Sequence, residues 1–327
     1  MTEPVLSLRD LTVEIPTRRG TLRPVDRVTW EVGPGEILGV VGESGAGKSM
    51  TGNAVIGLLD PPAAITGGQV LLEGRRIDDL PPREMRRIRG KRIGMVFQDP
   101  LTSLNPLLTI GDQLAETIAR HLDVSDAEAR ARAVRGLDEV GIPAARDRIG
   151  AYPHEFSGGM RQRVVIALAL CAEPTLLIAD EPTTALDVSV QAQITALLRR
   201  LCRERGMAAM LITHDMGVIA ETADRVAVMY AGRLAEIGAT AEVVGRPRHP
   251  YADGLMASTP AASAGQARLR QIPGAMPRLT ALPPGCAFHP RCPRVGEPCR
   301  HDPRPEVGVS DARAACWFPI EHAGDAA

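Results

Sequence analysis

The chain has 327 residues, which is enough for one large domain and a smaller one. Hydrophobic residues make up 44% and charged residues 24%, as is typical of globular proteins. The net charge of −1 provides no basic field for nucleic acid, and aromatic residues, at 3%, are too few for a base-stacking surface.

The sequence contains no stretch that we expect to enter a membrane. Its longest fully apolar run, residues 164–172, is about half the length that a spanning helix needs. Residues 1–10 lack the apolar core of a signal peptide. We therefore expect a cytoplasmic protein that reaches a membrane only through a partner.

Apolar strand patterns alternate with helical patterns along most of the chain. Strands are predicted at 5–15, 28–32, 37–41, 70–72, 93–97, 175–180, 208–213, 226–230 and 233–237. Helices are predicted at 50–59, 81–92, 109–140, 159–171 and 188–205. This alternation predicts an α/β fold with a mostly parallel sheet covered by helices on both faces.

One stretch fits the phosphate-binding loop pattern G-x-x-x-x-G-K-[ST] at every fixed position. It consists of Gly42, Glu43, Ser44, Gly45, Ala46, Gly47, Lys48 and Ser49, and the next helix continues from Met50. Glycines let successive backbone N–H groups point at phosphate oxygens, and the helix adds the positive end of its dipole. We expect Lys48 to reach the β- and γ-phosphates and Ser49 to ligate Mg²⁺. The stretch from Gly42 to Met50 therefore predicts an ATP and Mg²⁺ site.

Two acids, Asp180 and Glu181, end the predicted strand at 175–180. A parallel strand places such residues at the carboxyl edge of the sheet, where the phosphate loop is also expected. Asp180 can then hold Mg²⁺, and Glu181 can orient or deprotonate the attacking water. Two acids alone are weak evidence, but paired with a complete phosphate loop they indicate nucleotide hydrolysis.

A second candidate anion site precedes the predicted helix at 159–171. Ser157, Gly158 and Gly159 provide a hydroxyl and free N–H groups, although a capped helix start would look the same. The stretch resembles the Leu-Ser-Gly-Gly-Gln signature loop of ABC ATPases. It departs from that loop at Phe156 and Met160, which leaves the phosphate-contacting positions unchanged.

Further motifs follow in the order that ABC ATPases show. Gln98 resembles the glutamine that touches Mg²⁺ and water, residues 185–187 resemble the D-loop at the dimer interface, and His214 resembles the switch histidine that contacts the γ-phosphate. The resemblance covers about residues 5–245. It implies an antiparallel β subdomain, a helical subdomain at about 99–165 and Gln98, Glu181 and His214 as catalytic residues.

The same resemblance implies partners. In the family, the phosphate loop of one subunit and the signature loop of another enclose each ATP, so Ser157 to Gly159 would act on the partner's nucleotide. We therefore expect a second ABC ATPase subunit, which in this branch is usually a different chain, although the sequence leaves a homodimer open. One departure is that no aromatic residue between Asp10 and Thr29 is available to stack on the adenine.

The composition changes near residue 245. The segment 246–327, which we predict to be a small separate domain after the ATPase domain at 1–245, holds 13 of the 27 prolines and four of the six cysteines. Residues 98–106, 246–251 and 289–293 resemble the peptide-permease branch of ABC ATPases, which imports dipeptides and oligopeptides. This implies two transmembrane permease subunits, an extracytoplasmic peptide-binding protein and a peripheral position on the cytoplasmic face of the plasma membrane. Nickel importers share the branch and stay an alternative.

The four C-terminal cysteines are predicted to hold a metal cofactor. They are Cys286, Cys292, Cys299 and Cys316. Their spacing lacks the paired C-x-x-C of zinc knuckles and suits a four-thiolate cluster in proline-rich loops. The resemblance to the dipeptide branch implies a [4Fe-4S] cluster. Zn²⁺, reduced cysteines and disulfides are the alternatives.

The sequence disfavours two other functional classes. A soluble ABC ATPase of DNA repair or translation usually carries a long coiled-coil insert or two ATPase units, and this chain shows neither, nor a charge suited to nucleic acid. A regulatory subunit that does not hydrolyse ATP would not need Glu181 and His214.

Overall fold

The computed structural model describes residues 3–18, 20–184, 186–259, 271–302 and 313–322. The chain divides into two compact units. Unit 1 comprises Met1–Gly33, Ile37–Asp78 and Leu211–Ala327, and unit 2 comprises Pro34–Glu36 and Asp79–Met210. The C-terminal region thus belongs to the same unit as the phosphate loop, and the domain boundary near residue 245 stays a prediction.

The strands and helices follow the order expected from the sequence. The strands are β1 (Leu6–Thr17), β2 (Gly20–Val32), β3 (Ile37–Val41), β4 (Ala64–Leu72), β5 (Arg75–Arg76), β6 (Ile93–Val96), β7 (Leu176–Asp180), β8 (Ala208–Ile212), β9 (Arg225–Tyr230), β10 (Arg233–Ala239) and β11 (Arg313–Ala314). The helices are α1 (Lys48–Ile56), α2 (Pro82–Ile88), α3 (Pro100–Ser103), α4 (Ile110–His121), α5 (Asp126–Glu139), α6 (Ala145–Arg148), α7 (Gly158–Leu170), α8 (Val188–Arg205), α9 (Met216–Thr222), α10 (Thr240–Gly245), α11 (Pro250–Ala257) and α12 (Pro298–His301). Among these described helices, none is long and apolar enough to cross a membrane.

Unit 1 contains the antiparallel sheet, with strand order β2-β1-β4-β5. Its register pairs Leu6 with Val32 on one side and with Leu72 on the other. Burial alternates along the end of β2, where Val28, Trp30 and Val32 are enclosed and Thr29 and Glu31 are half-buried. This pattern is that of a sheet with one face in the core, and the predicted antiparallel subdomain is confirmed.

The rest of unit 1 is built on strands in the order β11-β10-β9-β3-β8. β3 and β9 are parallel, whereas β9 and β10 form an antiparallel hairpin. Every residue of β3 is buried, which explains its continuous apolar sequence. The last two residues of β8, Leu211 and Ile212, belong to this unit.

Unit 2 holds the strand order β8-β7-β6 and most of the helices. β6 and β7 are parallel, and β7 is fully buried. The helical pattern predicted at 109–140 forms two helices, α4 and α5, rather than one. The break has a local cause, because the Ser125 side chain accepts the Glu128 N–H and starts α5 anew.

A buried carboxylate fixes the start of the C-terminal region. Glu236 of β10 is 1% exposed. Its carboxylate accepts the N–H of Arg248 at 3.0 Å and that of His249 at 2.8 Å. Burial raises the pKa of Glu236, and these two N–H groups oppose the shift.

Replacing Glu236 with alanine should lower the free energy of unfolding by about 2–4 kcal/mol, because two backbone donors lose their acceptor. Glu236→Gln keeps an acceptor and is the matched control. Since the folded protein binds this proton more tightly than the unfolded chain, wild-type stability should fall, relative to Glu236→Gln, as the pH rises through the raised pKa. Chemical denaturation over a pH series measures both effects. Equal stability of the alanine and glutamine variants would contradict the assignment.

Candidate nucleotide site

The phosphate loop in unit 1 has the backbone that its glycines were expected to permit. Gly42, Gly45 and Gly47 have φ values of 154°, 81° and 106°. A Cβ at Gly42 would lie 2.3 Å from the Met229 carbonyl oxygen, and one at Gly47 would lie 2.1 Å from that of Pro24. Neighbouring backbone therefore lies so close to Gly42 and Gly47 that only glycine fits at these two positions. This closed cradle before a helix N-terminus fits a bound phosphate chain.

Lys48, the first residue of α1, is 6% exposed. Its ammonium donates to the carbonyl oxygens of Gly42 at 2.9 Å and Glu43 at 3.1 Å. These two bonds hold the Lys48 side chain across the phosphate loop, where Lys48 was predicted to bind the nucleotide. The neighbouring Ser44 and Ser49 are exposed, and Ala46 is fully buried. Met50, half-buried in α1, continues the helix.

His214 follows the strand next to β3 in unit 1. Thr213 donates its N–H to the Val40 carbonyl at 3.2 Å, which aligns the end of β8 with the end of β3. His214 is exposed, and Asp215 caps α9 by accepting the Gly217 and Val218 N–H groups. The structure thus brings the predicted switch histidine and the phosphate loop to adjacent strand ends.

Unit 2 holds the predicted hydrolytic carboxylates. Asp180 ends β7 and is 8% exposed. The Glu181 carboxylate accepts the Gln98 side-chain N–H at 3.2 Å and the Thr184 hydroxyl at 2.8 Å. Glu181 also has a φ of 47°, a left-handed conformation that a glutamate seldom adopts. Backbone strain of this kind concentrates at functional sites. Thr184 was not predicted, since no motif marked it.

Ser157 caps α7, and its hydroxyl accepts the Met160 N–H at 3.4 Å. Gly159 is required by packing, because a Cβ there would lie 2.7 Å from Val190 Cγ1. Gly158 is exposed and has more room. The predicted signature residues therefore form a helix start in unit 2, and their nucleotide role stays a prediction.

The predicted D-loop is partly described. Ala185 lies outside the described residues. Asp187 caps α8 by accepting the Val190 N–H at 2.9 Å, and this bond is the main cause that lowers the pKa of Asp187. Capping of α8 alone accounts for an aspartate at this position, without any contact at a dimer interface.

The four C-terminal cysteines lie in unit 1 as free thiols. The Cys286 N–H donates to the Cys299 carbonyl at 2.9 Å, which joins two of their segments. Burial, and then the charges of the other three cysteines, raise the pKa of Cys316 to about 11. Among the described residues, no three His, Cys, Asp or Glu side chains converge to hold a metal ion, so neither the predicted [4Fe-4S] cluster nor its zinc alternative gains support from this arrangement.

Sequence reasoning also missed contacts between the C-terminal region and the phosphate loop. The Glu43 N–H donates to the Tyr251 hydroxyl at 2.8 Å, and the Arg291 guanidinium pairs with the Glu43 carboxylate. The stretches around Tyr251 and Arg291 resemble other sequences, but that resemblance does not link either residue to the phosphate loop. No periodicity in the chain connects positions so far apart.

The sequence is similar to those of several known proteins. The family described as "ABC transporter" matches residues 25–184, and "Oligopeptide/dipeptide transporter, C-terminal region" matches residues 235–299. The dipeptide transport ATP-binding protein DppD of Bacillus subtilis is 47% identical over 98% of this chain and 96% of its own length. The oligopeptide transport ATP-binding protein OppD of Salmonella typhimurium is 49% identical over 97% of this chain and 94% of its own.

Solved structures show the same likeness. A dimeric ATP-binding cassette in a post-hydrolysis state, with ADP and phosphate bound, has a TM-score of 0.65 and 29% identity over 72% of this chain and 98% of its own. A subunit of an ABC transporter complex from Clostridium perfringens has a TM-score of 0.65 and 27% identity over 75% of this chain and 92% of its own.

Proposed function

Because the chain belongs to the ABC transporter family of ATP-binding proteins, we propose that it hydrolyses ATP to power the import of peptides. The observation that carries the proposal is the match of nearly the whole chain, including its C-terminal region, to dipeptide and oligopeptide transport ATP-binding proteins. The closed phosphate loop and the Gln98–Glu181 pair supply the chemistry that such a protein needs.

Nucleotide binding is assigned to the stretch from Gly42 to Met50. The backbone N–H groups of the loop hold the phosphates, and Lys48 neutralises the β- and γ-phosphate charge. Ser49, Asp180 and Gln98 provide oxygen ligands for Mg²⁺, which polarises the γ-phosphate when it is bound. The glycine geometry of the loop and the buried position of Asp180 support these roles.

Hydrolysis is assigned to Glu181, with Gln98 and His214 as its companions. The Glu181 carboxylate orients the attacking water and accepts its proton as the new P–O bond forms, while the bond from the γ-phosphorus to the β–γ bridging oxygen breaks and ADP leaves. Hydrogen bonds from Gln98 and Thr184 fix the direction of the carboxylate before water arrives. His214 donates to the γ-phosphate and thereby senses whether ATP or ADP is bound.

Transport requires partners. A second ATPase chain supplies the signature loop to this chain's ATP, and Ser157, Gly158 and Gly159 serve the partner's nucleotide. Two transmembrane permease subunits receive the movement at the cytoplasmic face of the plasma membrane, and an extracytoplasmic binding protein delivers the peptide. The Asp99 to Pro106 segment is proposed to dock on the permease subunits. Leu101 within it is 62% exposed, and the flanking Phe97 and Leu107 are 42% and 83% exposed, which supports this role.

Cys286, Cys292, Cys299 and Cys316 are proposed to hold a [4Fe-4S] cluster. Such a cluster takes four thiolates and sets them further apart than a single ion would. The thiols lie near enough for Cys286 and Cys299 to raise the pKa of Cys292, after the larger effect of burial. When bound, the cluster would hold together a proline-rich region whose described residues form few helices and strands of their own.

Glu181→Gln should lower the ATP hydrolysis rate by at least about 100-fold while ATP binding is retained, because the amide cannot accept the proton. Glu173→Gln is the matched control, since Glu173 is an exposed glutamate of the same unit and also has a left-handed backbone, with φ 57°. Phosphate release and equilibrium ATP binding are measured for both variants. Persistent turnover in Glu181→Gln would show that another group acts as the base.

Anaerobic purification should yield about four irons and four sulfides per chain. Cys292→Ser should lose them, whereas Cys171→Ser, a cysteine of unit 2, should retain them. Metal and sulfide analysis with an absorption spectrum provides the measurement. One zinc and no iron would contradict the cluster assignment and leave the ATPase assignment unchanged.

A further inference from the structure

Arg291 belongs to the cysteine-containing C-terminal region, yet its side chain reaches the phosphate loop. One guanidinium nitrogen donates to Glu43 Oε2 at 2.6 Å, and another donates to Glu43 Oε1 at 2.9 Å. The arginine side chain is 5% exposed and that of Glu43 is 30% exposed. Two parallel bonds between a guanidinium and a carboxylate fix orientation as well as distance.

The remaining surroundings leave the guanidinium little freedom. Its Nε donates to the Pro273 carbonyl at 2.8 Å, and its terminal nitrogens reach the Gly274 carbonyl at 3.3 Å and the Tyr230 hydroxyl at 3.3 Å. Its Cζ also lies 5.9 Å from the ring centres of Tyr230 and Phe288. A buried cation needs such partners. Together these contacts hold the Arg291 guanidinium in one position beside Glu43.

Glu43 connects the Arg291 side chain to other residues of the phosphate loop. Its carbonyl oxygen accepts the Ala46 N–H at 3.1 Å and the Lys48 ammonium at 3.1 Å. Its N–H donates to Tyr251, whose ring packs edge-on against Tyr230 with the ring centres 4.6 Å apart. A displacement of Glu43 would therefore displace one of the two carbonyl groups that hold the phosphate-binding Lys48.

The charge of Glu43 gives a second reason for the pair. A carboxylate within an anion-binding loop repels the phosphates of ATP unless its charge is neutralised. Arg291 is placed to neutralise it. The paired loop presents no net negative charge at this position, whereas an unpaired Glu43 would.

We propose that Arg291 is a positioning residue of the ATP site, acting through Glu43 by holding the loop and neutralising its carboxylate. ATP affinity then depends on a correctly folded C-terminal region, whatever that region binds. The inference rests on the proposed nucleotide site. It adds a residue from outside the nucleotide-binding motifs to that site.

The test compares Arg291→Gln in two backgrounds by equilibrium ATP binding and by steady-state hydrolysis. With Glu43 present, the substitution should weaken ATP binding and raise KM about tenfold, with kcat changed less than about twofold, since Arg291 touches no reacting atom. In the Glu43→Gln background the same substitution should change ATP affinity less than about twofold, because no charge is left to neutralise.

Arg294→Gln is the matched control. Arg294 lies three residues further along, and its guanidinium bonds to the carbonyls of Phe318 and Pro319 instead of the loop. It should bind ATP as the wild type does, and thermal unfolding should show all variants folded.

Three outcomes would overturn the inference. An equal loss of affinity in both backgrounds would show that Arg291 acts by folding the C-terminal region, and no loss in either would show that the pair does not affect the site. A wild-type protein that binds no ATP would overturn the proposed nucleotide site as well, so the two failures are distinguishable.

Discussion

The phosphate loop can enclose an anion only because Gly42, Gly45 and Gly47 adopt positive φ angles, and much of unit 1 is arranged around that constraint. Neighbouring backbone occupies the space where side chains would project from Gly42 and Gly47. The turn between β9 and β10 closes the loop from another side, since the Gly232 N–H donates to the Ala46 carbonyl at 2.9 Å. Three positions outside the eight-residue motif therefore shape the loop: Pro24 in β2, Met229 in β9 and Gly232 in the turn.

Sequence patterns predicted the elements whose formation depends mainly on neighbouring residues. The phosphate loop, the strand before it and the helix after it appear where the motif and the apolar run 37–41 placed them. The buried β7 ending at Asp180 also agrees with its pattern. Ser125 was overlooked as a helix start because apolar periodicity continues on both sides of it, and one cap divides α4 from α5.

Patterns of short range could not predict contacts made by distant residues. Glu43 and Arg291 are 248 positions apart, and each looked unremarkable in its own segment. The positive φ of Glu181 is equally invisible in a sequence, because glutamate gives no sign of a left-handed backbone. The burial of Glu236 against two backbone N–H groups could not be deduced either, since β10 reads as an ordinary strand. What the sequence left open therefore concerns contacts between residues distant in the chain and backbone conformations that no residue pattern records.

ATP hydrolysis by this chain is proposed to be coupled to peptide import. This coupling is tested by measuring ATP hydrolysis in membrane vesicles that contain the chain with its second ATPase and permease subunits, supplied with the binding protein. If the coupling holds, peptide-loaded binding protein accelerates hydrolysis, and labelled peptide accumulates in step with phosphate release. Hydrolysis that responds to nickel but not to peptide, or that proceeds without peptide movement, would contradict it.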